Sequence, residues 1–108
     1  MEAASRMQFT FHACADLNSI WESIAMPSDL WGSTNAEHLA AALSFAEKLE
    51  QLCQLITLHP EMGRPRTMLQ EGIRSLLFQR YVIFYRIRGN CVEVLRVLRA
   101  SREIDAVV

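Results

Sequence analysis

The last third of the chain limits its fold more than any other part. Three apolar, β-favouring runs, Gly72 to Phe78, Tyr81 to Ile87 and Cys91 to Leu98, are separated only by Gln79-Arg80 and Arg88-Gly89-Asn90. Connections of hairpin length cannot carry a crossover helix, so the runs pair as an antiparallel meander. Each run also holds an arginine, Arg74, Arg86 and Arg96, among its apolar residues. A guanidinium is costly to bury unpaired, so three on neighbouring strands mark a surface that meets something polar or anionic. Period-two alternation places Arg74 with Leu76 and Phe78, Arg86 with Val82 and Phe84, and Arg96 with Val94 and Leu98. Whether the three faces coincide depends on register, which stays open.

Upstream, Gln8-Phe9-Thr10-Phe11-His12 alternates in the manner of a strand, over about residues 6–13. Leu17, Ile20, Trp21 and Ile24 then recur at helical spacing between Asp16 and Met26, and Pro27 stops that helix. A loop holding Pro27, Asp29 and Gly32 leads to a capping box at Thr34-Asn35-Ala36-Glu37. The helix it opens carries the stripe Leu39, Ala42, Leu43, Ala46, Leu49, Leu52, Cys53 and Ile56, and ends at His59-Pro60. The order is therefore β-α-α-β-β-β: a single α+β domain over residues 1–108, with two N-terminal helices against one face of an antiparallel sheet.

Composition narrows the class. A 108-residue chain that is 51% hydrophobic supports one core of two layers and no more. No run approaches the ~18 apolar residues of a membrane span, and the first residues lack the basic and apolar regions of a signal peptide, so a cytoplasmic location is expected. Cys14, Cys53 and Cys91 are scattered, as are His12, His38 and His59, so no metal site and no cofactor is expected. The net charge of −1 hides an asymmetry. Residues 1–63 sum to −6, whereas residues 64–108, with nine arginines, no lysine and four carboxylates, sum to +5. Arginine alone favours planar, two-pronged contacts to carboxylate or phosphate, on an acidic partner or on the acidic helices of the first half.

Several of these residues together resemble a known family. Ala15-Asp16-Leu17 with Ile20-Trp21, His59-Pro60 with Met62-Gly63-Arg64, Gly72-Ile73-Arg74-Ser75, Tyr81-Val82-Ile83-Phe84-Tyr85-Arg86 and Arg96-Val97-Leu98 follow the order and spacing of the RelE/ParE superfamily. These are the toxins of bacterial type II toxin–antitoxin modules. The resemblance runs from about residue 8 to residue 105 and implies a small curved antiparallel sheet under two helices. RelE-like members cut messenger RNA on the ribosome; ParE-like members poison DNA gyrase by stabilising its cleaved-DNA complex. Both are neutralised by a cognate antitoxin, with which they form hetero-oligomers.

Cutting RNA requires a base, an acid and positive charge converging on one phosphate. Set against RelE-like members, Leu76 stands about where a second lysine would be, Val82 where a central strand arginine would be, and Arg99 where many carry a histidine. The tail from Glu103 to Val108 offers neither tyrosine nor histidine. A slightly acidic protein, pI about 6.3, is also poorly suited to a phosphate-lined decoding site. The resemblance with these departures implies a ParE-like toxin that acts by binding gyrase without catalysis of its own, and without direct nucleic-acid or membrane contact. The alternatives are a RelE-like ribonuclease with a degenerate site and a non-toxic antitoxin-binding remnant. By position, Arg74, Arg86, Arg96, Arg99 and Arg102 are the candidate target-binding residues. Trp31, Leu76 and Phe84 are candidate apolar contacts for an acidic, amphipathic antitoxin segment.

Overall fold

Short connections and alternating side chains produce the architecture. The structure, a computed structural model, describes residues 4, 6–25 and 35–101. Along the chain these form β1 (Arg6–Phe9), α1 (Phe11–Ala25), α2 (Asn35–Leu58), a 3-10 turn (Pro60–Met62), β2 (Arg64–Pro65), β3 (Ile73–Phe78), β4 (Tyr81–Arg88) and β5 (Cys91–Arg99). The sheet order is β1-β5-β4-β3-β2. The meander β3-β4-β5 is antiparallel, as its connections require, and β2 adds an antiparallel pair at one edge. At the other edge β1 runs parallel to β5, with Met7 beside Val92 and Phe9 beside Val94. The sheet is therefore mixed, which corrects the expectation of an antiparallel one: the helices return the chain to the sheet after β1, freeing β1 to lie parallel to the last strand.

The first strand is also shorter than its alternating pattern implies, and the helix after it starts earlier. Thr10 is the reason. Its Oγ1 accepts the N–H of Ala13 at 3.1 Å, capping α1, and donates to the carbonyl of Leu95 at 2.8 Å. A residue that favours strands by propensity thus acts as a helix cap.

Register separates two faces. Leu76, Phe78, Ile83, Tyr85, Val92, Val94 and Val97 turn toward the helices and join Ala13, Ile20, Phe45 and Ile56 in the core. Each large side chain buried here contributes roughly 1.5–3 kcal/mol relative to exposure. On α2 the inward stripe runs through Ala42, Phe45 and Ile56, whereas Leu39 and Leu43, expected on it, are exposed. Phe45, absent from the expected stripe, packs on Phe78 and Tyr81 with ring centroids 5.2 and 5.7 Å away. Val82 and Phe84 are buried on the opposite face, outside that core. Between Phe84 and Tyr85 the register slips, leaving Leu95 without a partner on β4, a bulge of the kind that bends and twists a strand.

No helix among the described residues is long and apolar enough to cross a membrane. Trp31, Thr34 and Arg102 lie outside the described residues.

Candidate functional site

The strand arginines divide between the faces, because the register that places Arg74 opposite Tyr85 also turns Arg86 the other way. Arg74 sits on the helix side and donates to the carbonyls of Glu61 (3.0 Å) and Gly63 (2.8 Å). Beside it, the buried Tyr85 hydroxyl accepts the N–H of Gly63 at 2.8 Å and donates to the carbonyl of Pro60 at 2.7 Å. Two side chains thereby pin the turn between α2 and β2. Burial pushes the Tyr85 phenol up, against the opposing influence of the Gly63 hydrogen bond and the Arg74 charge. Gly63 fits only as glycine: a Cβ there would stand 2.5 Å from the Tyr85 hydroxyl.

Arg86, on the far face, holds Glu93 across the β4–β5 pair at 2.8 Å, and Arg88 reaches the other carboxylate oxygen at 3.5 Å. Arg96 forks onto Asp16 of α1, Nε to Oδ2 at 2.8 Å and the second nitrogen to Oδ1 at 3.0 Å. Asp16 Oδ2 also accepts the N–H of Val97 at 3.0 Å. β1 ends at Phe9, so Thr10 and Asp16 take over the edge of β5 where strand pairing stops. The hydrogen bond from Arg96, reinforced by Val97, holds the Asp16 carboxyl below its usual value of 3.8 despite desolvation.

Arg66 donates to the Ser75 hydroxyl at 2.6 Å. The side chains of Arg6, Arg64, Arg80 and Arg99 make no hydrogen bond or ion pair among the described residues. Of the candidate target-binding arginines, three therefore hold the fold together, Arg99 is exposed and unengaged, and Arg102 is outside the described region. The partners of Arg86 and Arg96 were offered in sequence only as the general prospect of internal pairing. Asp16 is 80 residues from Arg96, and only the α1–β5 packing brings them together. The apolar candidates divide as well: Leu76 packs on the core under the helices, while Phe84 lies on the opposite face.

Chemically, the arginine-bearing strands supply guanidiniums, one clamped carboxylate, two tyrosines and a buried cysteine. Arginine stays protonated and exchanges no proton near neutrality. Tyr85 is committed on both sides of its hydroxyl, and Tyr81 packs edge-on against Phe45. Elsewhere, desolvation, helped by Glu50, pushes the Cys53 thiol up to about 11.

The family described as "ParE toxin of type II toxin-antitoxin system, parDE" matches residues 9–104, spanning both helices and the meander. The chain belongs to the ParE toxin family. It is a type II toxin of the RelE/ParE superfamily. Toxin ParE1 of Mycobacterium tuberculosis (strain CDC 1551 / Oshkosh) is 27% identical over 103 residues, covering 94% of this chain and 96% of that protein. Among solved structures, the chromosomal ParDE toxin–antitoxin system from P. aeruginosa aligns with a TM-score of 0.62 at 18% identity, over 89% of this chain and 96% of that one. The toxin–antitoxin complex RelBE2 from Mycobacterium tuberculosis aligns at 0.54 and 23%, over 93% and 94%. At these identities the two structures establish a shared fold, and the family match carries the toxin assignment of this ParE-type chain.

Proposed function

We propose that this toxin acts in the ParE manner: it binds DNA gyrase and stabilises the enzyme's cleaved-DNA complex, with no catalysis of its own. One observation carries the reading. Among the described residues, the strands that would cradle a scissile phosphate hold no histidine or lysine, and their one carboxylate, Glu93, is clamped by Arg86, so they offer no free imidazole, amine or carboxylate for proton transfer. Acid–base cleavage of RNA needs such a group; a poison that works by binding does not. The proposal includes a cognate antitoxin, since both structural relatives come from toxin–antitoxin systems. Charge complementarity favours an acidic amphipathic segment that sets carboxylates against the arginines of the second half. The antitoxin contacts are assigned to Trp31, Leu76 and Phe84. Leu76 and Phe84 occupy opposite faces, so a segment on one face meets only one of them.

The test is a supercoiling assay with purified toxin, gyrase and ATP, scored for gyrase-linked DNA breaks. Breaks that accumulate with toxin and disappear on adding the antitoxin are the expected result. Unimpaired supercoiling alongside toxin-dependent cleavage of messenger RNA within codons would overturn the reading in favour of a ribosome-dependent ribonuclease.

A further inference from the structure

Arginines whose charges are already engaged inside the molecule offer less to a partner than those left open. Of the unengaged four, Arg6 and Arg64 stand apart on the edge strands β1 and β2, whereas the backbone positions of Arg80 and Arg99 adjoin at one end of the sheet. Arg99 is paired in register with Tyr81, the residue after Arg80, and the Ala100 N–H donates to the Arg80 carbonyl at 2.8 Å. Tyr81 is held edge-on by Phe45, and its hydroxyl has no hydrogen-bond partner among the described residues. Three adjoining positions thus present hydrogen-bond donors, and two of them carry full positive charge. The turn that displays Arg80 is built at a cost: Gln79 adopts φ 55, a left-handed conformation that glycine normally occupies.

We infer that Arg80, Tyr81 and Arg99 form a carboxylate-gripping site at the end of the sheet, through which the toxin holds an acidic segment of its protein target. This rests on the gyrase reading and assigns it a surface. Two exposed guanidiniums at backbone positions adjoining a phenol can take one or two carboxylates with two-pronged hydrogen bonds. A protein segment fits better than a nucleic-acid strand. Phe45 ties the site to α2, whose surface there carries Glu47 and Glu50 against one lysine, Lys48, and the first 63 residues sum to −6. A continuous phosphate chain crossing the site would be repelled by that helix, whereas a short acidic segment need not reach it.

The experiment compares wild-type toxin with R80E/R99E and with R6E/R64E, which makes the same change in net charge at positions remote from the site. Thermal melts establish that each variant is folded, and R80Q/R99Q stands in if the reversal is not. The readouts are supercoiling inhibition and direct binding to gyrase. The site predicts that R80E/R99E needs about tenfold more protein or greater for half-inhibition, that R6E/R64E inhibits like wild type, and that Y81F falls between them. If both reversals weaken inhibition equally, net charge and not this site is responsible, and the inference fails. If R80E/R99E inhibits as wild type does, the inference fails while the gyrase reading stands. If wild-type toxin leaves gyrase untouched, both fall together. A gel shift with duplex DNA alone gives a further arm: wild-type binding that R80E/R99E abolishes would overturn the choice of a protein segment.

Discussion

At the scale of single residues, few atoms bear much of the structure. The Tyr85 hydroxyl serves one donor and one acceptor of a buried turn. Tyr85→Phe keeps the ring and strands both, so unfolding free energy should fall by about 1–3 kcal/mol, measured by urea denaturation. Gly63→Ala should be at least as damaging, because the added methyl meets Tyr85, a fixed core residue and not the loose end of a long side chain. Asp16 makes a prediction with a sign. Its folded carboxyl titrates below the unfolded value, so its stabilisation is complete above the unfolded value near 3.8 and is lost as pH falls through the folded one. Asp16→Asn should therefore cost about 1 kcal/mol at pH 7, a figure kept low because Arg96 is 46% exposed and screened by water. The variant should also lose less stability than wild type on acidification below about pH 4, as denaturant midpoints across pH would record.

At the scale of elements, the meander was legible in the sequence because two short connections allow only antiparallel neighbours; the shared faces were less so, since the bulge at Leu95 puts Val94 and Arg96, expected on one face, on opposite ones. Its strands came within a residue of their observed ends. The start of α1 was not legible, since Thr10 looks like a strand residue until its hydroxyl is seen bridging Ala13 and Leu95. Nor was the parallel pairing of β1 with β5, which depends on how two helices route the chain. Phe45 escaped the expected stripe because the apolar surface of α2 is broad, with Leu39 and Leu43 drawing the stripe off its true centre. The division of Arg74, Arg86 and Arg96 between faces needed the register, and their partners needed the tertiary fold. The β3–β4 turn offers a test of its own. Gln79→Gly removes the left-handed strain but frees the unfolded chain, so a net gain of about 0.5 kcal/mol is expected, seen as a modest rise in melting temperature.

At the scale of the whole molecule, burial orders the three thiols. Cys14 is exposed, Cys53 is half-buried with its thiol pushed up to about 11, and Cys91 is buried. Alkylation near pH 8 should modify Cys14 first, Cys53 slowly and Cys91 only on unfolding; mass spectrometry of timed samples would show three phases. Cys91 labelling at the rate of Cys14 would mean that β5 opens readily. The placement of β5 also has a consequence in time. Thr10 meets Leu95 across 85 residues of sequence, and the last of the described strands to be made is the one that β1 and β4 both await. At a translation rate of about 5–20 residues per second, β1 waits on the order of 4–17 seconds for its neighbour. Throughout that interval the core lacks Val92, Val94 and Val97, so the nascent chain offers apolar surface to a chaperone or a protease and is not yet a finished toxin. A cell making this toxin thus has a window, set by topology alone, in which every unfinished copy is harmless.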